Sequence, residues 1–492
     1  MRKCLIATAR TAALVVCVAG SCGPAQAAAA VQTVAASSSN AQALPAPVSL
    51  AFRQAGIPET AIATYVQEID RGQVVMAVNA GVPVSPASTM KLVTSAAALD
   101  LLGPAYTWKT RAYAAAPLEG DLLRGDLVIK GGGDPKLVLE NFWLFLRRLR
   151  AQGIREIAGN LVLDRSFFAS DEAQPHDAGM FDADPFRTYN VGPDALLLNY
   201  KALNLHLTPN AGTGRADLRI DPPLANVILA APELASGECG DWRAGLLLTV
   251  TPARVGFNGK LPASCGERDW NIHPSGMSRN DYFGAVFRAL WQDLGGVLRG
   301  TVVDGVVPAQ ARLVAEQESA TLPEVMRDMN KYSNNVMARQ LLLTIAAEKQ
   351  PQPATPERGA HVVKTWLASR GIENPEVVID NGSGLSRAER VSAATLGRLL
   401  VAAFRAPTMP EFVSSLPLAG VDGTMQRRLQ DWPVAGHAHI KTGSLNDVRA
   451  IAGYVQAASG RQYAVVCIIN HRNAPRGQEA QDLLLQWVYE HG

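Results

Sequence analysis

The chain has 492 residues, which is too long for one ordinary domain and predicts roughly two to four. Its 46 lysines and arginines nearly balance its 44 acidic residues, for a formal net charge of +2. This balance argues against a nucleic-acid partner and against a strongly charged membrane-binding face.

The first 27 residues have the pattern of a cleaved secretory signal peptide. The basic residues of its start are Arg2, Lys3 and Arg10. An apolar run from 11 to 20 follows, and residues 25–27 (A-Q-A) form a cleavage site. The run is too short to span a bilayer comfortably, and no later segment predicts a transmembrane anchor. Cleavage leaves 43 basic and 44 acidic residues.

The cysteines fit an exported protein. Lipidation at Cys22 is disfavoured, because the residues before it are a poor lead-in to a lipidated cysteine. In an oxidising compartment, Cys239 and Cys265 form a plausible disulfide. Cys467 lies in the apolar run YAVVCIIN, which predicts a buried free thiol.

The first predicted elements follow a lead of low apolar content. Residues 28–47 are rich in Ala, Ser, Gln and Pro and predict a flexible segment, so that folding begins near Val48. AIATYVQEID and GQVVMAVN predict two strands joined by a turn at residues 70–72. The next segment predicts a helix that ends at about Leu102, because Gly103-Pro104 stops it.

The middle of the chain differs in pattern. From about Thr107 to Leu322 it is richer in short strand-like runs, turns and prolines, which predicts one or two β-rich insertion domains. Within it, GGGDP (131–135) predicts a turn, because it lacks the spacing and the G-K-[ST] of a phosphate-binding loop.

The C-terminal part predicts more strands and a last helix. HAHIKTGSLNDVRAIAGYVQAASGRQYAVVCIIN predicts strands with a tight turn at Ser459-Gly460, and AQDLLLQWVYEHG predicts a terminal helix. Strands from both ends of the chain, with helices between them, predict an α/β fold of the α+β type, an antiparallel sheet covered by helices.

The stretch SPASTMKLVTSAA (85–97) contains the one S-x-x-K of the chain, Ser88 to Lys91. Two side chains three residues apart on a helix share a face. A serine hydroxyl needs a base to become a nucleophile, and a lysine is that base only if burial or a nearby cation depresses its pKa. Alone, the motif favours a capping serine and a solvated lysine. Ser85, which precedes Pro86, is the better candidate for the helix cap.

Two further motifs lie far along the chain. Ser333-Asn334-Asn335 begins an apolar helical pattern, where a hydroxyl can relay a proton and an amide can hold a substrate carbonyl, although a plain N-cap fits as well. Lys441-Thr442-Gly443 is the one K-T-G, and a lysine and a hydroxyl on an edge strand can bind a carboxylate. Gly443 allows a ligand close to the backbone. We expect the backbone N–H groups of Ser88 and Ser444 to form an oxyanion hole.

In this order, the three motifs resemble the signature of penicillin-recognising serine acyl transferases. From about residue 48 to the end, the chain is similar to the D-alanyl-D-alanine carboxypeptidase/endopeptidase family, the class C low-molecular-mass penicillin-binding proteins. The similar segments are PASTMKLVTSAAALDLLG, GDLVIKGGGDP, MNKYSNNVMARQLL, DNGSGLSR, LAGVDGTMQRRL and HIKTGSLNDVRAIAGYV. The gap of 245 residues from Ser88 to Ser333, followed by 108 to Lys441, fits this family.

The resemblance implies a β-lactamase/transpeptidase-like catalytic domain that carries two nested insertion domains. We expect the catalytic domain at 48–107 and 323–492. Insertion domain II is expected at 108–133 and 273–322, and insertion domain III at 134–272.

The resemblance also implies roles for the motif residues. Ser88 is the acylated nucleophile and Lys91 its base. Ser333 passes the proton to the leaving D-alanine, and Asn335 holds a substrate amide. The remaining substrate-binding candidates are Lys441, Thr442, Gly443 and Ser444 for the terminal carboxylate and carbonyl, and Asp380, Ser383 and Arg387 of DNGSGLSR for the stem peptide. Arg339 stands where many relatives have Glu, and DNGSGLSR fits a plain surface turn equally well.

The implied substrates are peptidoglycan stem peptides and cross-links in the periplasm, with β-lactams as inhibitors. No cofactor is implied, and His437 and His439 alone are weak evidence for a metal. One alternative is a β-lactamase, which has little use for such long insertions. The other is a non-catalytic cell-wall binding protein, which would be expected to have lost a motif.

Overall fold

The structure is a computed structural model that describes residues 43–169, 184–351, 353–373 and 375–492. The expected signal peptide and most of the expected lead lie outside these residues. The α-helices of the described part are α1 (Ala46–Gln54), α2 (Met90–Leu102), α3 (Leu139–Ala151), α4 (Arg279–Asp293), α5 (Leu322–Lys331), α6 (Asn335–Lys349), α7 (Pro356–Ser369), α8 (Ala393–Phe404), α9 (Met409–Ser414) and α10 (Gln478–His491).

The strands of the described part form four sheets. They are β1 (Ile62–Glu68), β2 (Val74–Val78), β3 (Lys109–Ala114), β4 (Leu118–Glu119), β5 (Leu122–Leu123), β6 (Leu127–Lys130), β7 (Glu156–Ile157), β8 (Leu161–Asp164), β9 (Leu203–Asn210), β10 (Arg215–Asp221), β11 (Ile228–Ala230), β12 (Glu233–Ala235), β13 (Leu246–Thr251), β14 (Arg254–Pro262), β15 (Arg268–Ile272), β16 (Val297–Leu298), β17 (Val302–Asp304), β18 (Arg312–Glu318), β19 (Ala438–Leu445), β20 (Val448–Gln456) and β21 (Gln462–Asn470).

The first sheet joins the two ends of the chain, as the sequence predicts. Its strand order is β19-β20-β21-β1-β2, and every neighbouring pair is antiparallel. Side chains of β21 alternate between two cores: Val465 and Cys467 pack with α1 and α10 on one face, while Val466 and Ile468 pack towards α2 on the other. This alternation is the period of two that a strand imposes on a sheet covered on both faces.

Helix α2 lies inside the helical layer. Its residues from Met90 to Leu99 are all buried, including Lys91. The helix ends at Leu102, as predicted, and Gly103 follows with a φ of 85°, a conformation that suits glycine. Because the helix is buried on all sides over these residues, other elements enclose it and fix the position of its first turn.

The first helix begins within the last residues of the predicted lead (28–47). Helix α1 begins at Ala46 behind Pro45, and both Leu44 and Val48 are buried in the core shared with α10. The apolar side chains of this short helix are sufficient to dock it on the terminal helix, although the preceding composition is polar and proline-rich.

The strand pairing does not follow the expected boundary at residue 134. Strands β6 and β8 pair in parallel and are connected through α3, so β8 joins β6 in a sheet with β3, β17 and β18. A parallel pair needs such a crossover helix, and this βαβ unit keeps β8 with residues 108–133. The third sheet, β9 to β15, is confined to residues 203–272.

The insertions contact the catalytic part through α6. The side chain of Gln340, which is fully buried, accepts a hydrogen bond from Asp194 N at 2.9 Å and donates to Asp194 O at 2.8 Å. Lys136 also forms an ion pair with Asp328 of α5. These contacts support both helices that flank the S-x-N motif.

The cysteines lie as the sequence suggests. Cys239 and Cys265 form a disulfide with a Cα–Cα distance of 4.7 Å, and Cys467 is a buried free thiol. Within the described ranges, the helices are each too short or too polar to cross a membrane.

Candidate active site

The turn before α2 holds the candidate nucleophile. Residues Ala87–Thr89 form a 3-10 turn in which Ala87 has a φ of 45° and is fully buried. A non-glycine residue in this conformation is strained and persists only where its surroundings enforce it. Ser88 is half-buried at the surface of this turn.

Ser85 does not cap the helix, which corrects the sequence prediction. The turn begins at Pro86 without a side-chain cap, and the Ser85 hydroxyl is buried with no hydrogen-bond partner. Instead, Asn470 of β21 fixes the Ser85 backbone: its Oδ1 accepts from Ser85 N at 2.8 Å, and its Nδ2 donates to Ser85 O at 3.0 Å. The distant amide of Asn470 therefore fixes the chain just before the turn, and the turn itself has no side-chain cap.

Lys91 is the centre of the site. Its Nζ donates to Ser88 Oγ at 3.0 Å, to Asn335 Oδ1 at 2.6 Å and to Ser383 O at 2.5 Å. The two carbonyl oxygens can only accept. When Lys91 is neutral, its two N–H bonds are therefore used by Asn335 and Ser383, and its lone pair points to Ser88.

The environment favours this neutral form. Burial is the largest cause that holds the pKa of Lys91 well below its usual value, and the positive charge of Lys441 lowers it further. Arg339 acts in the same direction, while the carboxylate of Glu389 opposes both. A lysine of lowered pKa beside a serine hydroxyl is the arrangement that activates a nucleophile.

Ser333 stands across the site from Ser88. It lies between α5 and α6 with a φ of 58°, and its Oγ accepts a hydrogen bond from Lys441 Nζ at 2.9 Å. Asn334, rather than Ser333, caps α6 by accepting from Met337 N. The Ser333 hydroxyl is thus left to face the cleft.

Lys441 lies on β19, the edge strand of the sheet. It is fully buried, donates to Thr442 O at 2.8 Å, and burial lowers its pKa to about 7. Beside it, Thr442 Oγ1 is 2.7 Å from Thr424 Oγ1. An edge strand presents one row of backbone N–H and C=O groups to the cleft, and exposed Ser444 continues that row.

Gly443 brings β19 against the nucleophile turn. A Cβ at this position would lie 2.9 Å from Pro86 O, 3.0 Å from Ser88 N and 3.1 Å from Ala87 Cβ. A larger side chain would push the strand away from Ser88. The glycine of K-T-G therefore sets the spacing between the two sides of the cleft.

The DNGSGLSR loop lies against the other side of α2. Gly382 O accepts from Thr94 Oγ1 at 2.7 Å, and Ser383 O accepts from Lys91. Gly384 has a φ of 82°, and a Cβ on it would lie 1.9 Å from Ala87 O. This loop is therefore part of the site and not a plain surface turn.

The other loop candidates are less closely involved. Arg387 pairs with Asp447 at 2.7 Å, and both side chains are more than half exposed. The Asp380 carboxylate is exposed, with Asn381 Nδ2 at 3.5 Å. The structure thus brings Ser383 into the cluster around Lys91 through its carbonyl, whereas Arg387 and Asp380 lie at the rim.

Three residues of the site have contacts that the sequence does not indicate. Glu389 is fully buried behind the DNGSGLSR loop, Thr424 contacts Thr442, and Arg339 lies one helical turn after Asn335 with Nη1 donating to Val191 O at 3.3 Å. A single Glu or Thr inside a polar loop has no sequence pattern that marks it as part of a site. For Arg339, the sequence indicates only that it stands where many relatives have Glu.

The site has no evident metal ligands. Over the ranges that the structure describes, no three His, Cys, Asp or Glu side chains are grouped so that they could hold a metal ion.

The model of the family described as "D-Ala-D-Ala carboxypeptidase 3 (S13) family" matches residues 45–490. A D-alanyl-D-alanine carboxypeptidase from Actinomadura sp. (strain R39) is 29% identical over 432 residues, which cover 81% of this chain and 76% of the relative. The crystal structure of penicillin binding protein 4 (dacB) from Haemophilus influenzae is similar with a TM-score of 0.76 and 26% identity, covering 90% of this chain and 99% of that one. Its complex with a novel β-lactam has a TM-score of 0.72 and 25% identity, with the same coverage.

Proposed function

Because the chain belongs to the D-Ala-D-Ala carboxypeptidase 3 (S13) family, we propose that it releases terminal D-alanine from peptidoglycan stem peptides through an acyl-enzyme on Ser88. The observation that carries this assignment is the contact of buried Lys91 with Ser88 Oγ at 3.0 Å, in which two carbonyl acceptors direct the lysine lone pair to the hydroxyl.

Acylation begins when Lys91 accepts the Ser88 proton. Ser88 Oγ then attacks the carbonyl carbon of the penultimate D-alanine, and the N–H groups of Ser88 and Ser444 stabilise the oxyanion. The position of Gly443 beside Ser88 N supports this pairing, because it keeps β19 close to the nucleophile turn.

Ser333 and Lys441 act on the leaving side. Ser333 passes the proton to the amine of the departing D-alanine, and its hydrogen bond to Lys441 Nζ supports that role. Lys441 and Thr442 bind the terminal carboxylate of the substrate. Asn335 holds a substrate amide in addition to its bond with Lys91. Water then hydrolyses the ester and frees Ser88.

The same acyl step serves a larger leaving group. We include D-alanyl-diaminopimelate cross-links among the substrates, which makes the enzyme an endopeptidase as well. β-Lactams acylate Ser88 and are released slowly, in keeping with the β-lactam complex of the similar Haemophilus influenzae protein. Arg387 at the rim of the site meets a charged stem-peptide side chain.

The place of action follows from the substrate. We assign the protein to the periplasm after removal of the first 27 residues, since the basic start, the apolar run and the A-x-A site form an export signal. The Cys239–Cys265 disulfide supports an oxidising compartment.

The test is to incubate the wild type and Ser88→Ala with fluorescent penicillin and with a pentapeptide stem. We expect the wild type to be labelled and to release D-alanine, and Ser88→Ala to do neither. Rapid turnover of penicillin would instead identify a β-lactamase, and a wild type without either reaction would indicate a non-catalytic wall-binding protein.

Ser85→Ala is the matched control. It removes a hydroxyl three residues away that has no hydrogen-bond partner, so its labelling is expected to equal that of the wild type. Labelling retained in Ser88→Ala and lost in Ser85→Ala would mean that the nucleophile is the other serine.

A further inference from the structure

Glu389 is a buried acid behind the DNGSGLSR loop. Its Oε1 accepts from the backbone N–H groups of Asp380, Asn381 and Gly382 at 3.3, 3.1 and 2.7 Å, and its Oε2 accepts from Gly384 N at 2.7 Å. All four partners are donors, so both oxygens act as acceptors, which is the pattern of an ionised carboxylate. Burial raises the pKa of Glu389, and the four N–H groups oppose that rise.

The segment held by Glu389 carries the carbonyl that contacts Lys91. Ser383 lies between two of the four bonded amides, and its O accepts from Lys91 Nζ at 2.5 Å. The remaining polar groups of Ser383 are used within the loop, because its N and Oγ both donate to Asn381 Oδ1. The orientation of the Ser383 carbonyl therefore depends on the amides on either side of it.

We propose that Glu389 is a positioning residue of the acylation step: by holding the amides of residues 380–384, it fixes the Ser383 carbonyl that directs the Lys91 lone pair to Ser88. This inference rests on the proposed function for its consequence in catalysis. The clamp on the loop itself is independent of that function.

The charges around Lys91 give this role a second signature. The groups that act on Lys91 are Lys441 from β19, Arg339 from α6 and Glu389 from the loop. Glu389 is the negative member of the three and raises the pKa of Lys91, whereas the two cations lower it. Replacing Glu389 by an uncharged residue therefore changes the titration of the base, which a merely structural residue would not do.

The clamp is tested by hydrogen–deuterium exchange of the peptide covering residues 380–385. In the wild type, the amides bonded to Glu389 are expected to exchange slowly, although the peptide is a loop outside any helix or strand. In Glu389→Gln, one oxygen becomes an NH₂ that cannot accept, so the protection of at least one amide is expected to be lost. Rapid exchange of this peptide in the wild type would overturn the clamp without any variant.

The effect of Glu389 on catalysis is tested by the rate of Ser88 acylation by fluorescent penicillin over about two pH units on either side of neutrality. We expect Glu389→Gln to lower the plateau rate by up to about a hundredfold, because a base displaced by about 1 Å loses that much. We expect the acid limb, where Lys91 loses its proton, to move to lower pH. Glu389→Asp retains the charge with a shorter reach, so it should lower the plateau and leave the limb in place.

Glu376→Gln is the matched control. Glu376 accepts from the hydroxyls of Ser392 and Thr395 near the start of α8 and is absent from the groups acting on Lys91. Its acylation plateau and acid limb should match those of the wild type. Folded Glu389→Gln with an unchanged plateau and limb, or equal losses in Glu376→Gln, would overturn the positioning role. A wild type that is not acylated at all would overturn the proposed function instead, and the exchange measurement would still decide the clamp.

Discussion

Lys441 Nζ lies 2.9 Å from Ser333 Oγ, although 108 residues separate the two in the chain. In the proposed mechanism, this contact joins the cation that binds the substrate carboxylate to the hydroxyl that protonates the leaving group. It also places the positive charge of Lys441 where it lowers the pKa of Lys91. In that mechanism, one lysine takes part in substrate binding and in proton transfer, and its charge also acts on the base.

The first prediction concerns the pH dependence of kcat/KM. Lys91 must be neutral and Lys441 cationic, so the profile is a bell: activity rises as Lys91 loses its proton and falls as Lys441 loses its own. The pKa of Lys441 is about 7, which places the alkaline limb near neutrality in the free enzyme. Initial rates of D-alanine release across pH check this limb.

Lys441→Arg is the control for that limb. A guanidinium stays protonated throughout this range, so the alkaline limb is expected to shift to higher pH, whatever the loss in rate from its different shape. An alkaline limb that remains near pH 7 in Lys441→Arg would exclude Lys441 as its source.

The second prediction is that Lys441→Met stabilises the protein while abolishing activity. Lys441 has a pKa of 10.5 when exposed and about 7 when folded, so the unfolded chain binds more protons between these values. The free-energy cost of burying the charged Lys441 is therefore largest below about pH 7, where the lysine is protonated in both states. It declines as pH rises and vanishes above 10.5, where the lysine is neutral in both states. Near pH 6 we expect a gain of roughly 2 kcal/mol in the free energy of unfolding, less than the shift alone implies because hydrogen bonds of Nζ are lost.

Denaturant titrations of the wild type and Lys441→Met at pH 6 and pH 9 check this sign. The difference in free energy of unfolding should be smaller at pH 9. A difference that grows with pH, or a destabilised variant at pH 6, would contradict the burial cost.

The third prediction concerns Gly384, whose Cβ would meet Ala87 O. Gly384→Ala is expected to displace the DNGSGLSR loop or the nucleophile turn and to lower penicillin acylation sharply. Gly371→Ala is matched to it, since Gly371 has a φ of 71° but open space around it. That control should lose only about 1–2 kcal/mol for the left-handed backbone and acylate at the wild-type rate. Equal acylation in both variants would refute the steric contact.

The fourth prediction separates stability from activity in the insertions. Replacing Cys239 and Cys265 by serine opens a loop of sequence separation 26 and is expected to cost about 3 kcal/mol of unfolding free energy. The disulfide belongs to the core of the insertions and not to the core around α2, so the acylation rate should be unchanged. Thermal unfolding and penicillin labelling of the folded variant check the two parts. A slowed acylation at unchanged stability would contradict this separation.

The sequence predicts the catalytic sheet well, because its signals are local. Alternating strands, the stop at Gly103 and the apolar terminal helix each depend on neighbouring residues. The expected boundary at 134 stays a prediction. The parallel pairing of β6 with β8 across helix α3 could not be predicted, because local periodicity does not indicate which strands pair.

The residues of the site likewise divide into those that sequence motifs indicate and those that only the folded structure shows. Ser88, Lys91, Ser333 and Lys441 were found from motif order and spacing, and the structure brings their side chains together. The prediction that Ser85 caps the helix is wrong, because its backbone is bonded to Asn470, 385 residues away, and its hydroxyl makes no hydrogen bond. Glu389 could not be predicted because its hydrogen-bond partners are backbone amides of a folded loop, which no pattern of side chains in the sequence indicates.

The pairing of Ser85 with Asn470 also has a consequence for the order of folding. The backbone just before the nucleophile turn is held by the last residue of β21, which lies 385 residues further along the chain. Contacts of such large sequence separation form late, after loop closure across most of the polypeptide. We therefore expect the nucleophile turn to be among the later parts of the catalytic sheet to become ordered when the chain folds.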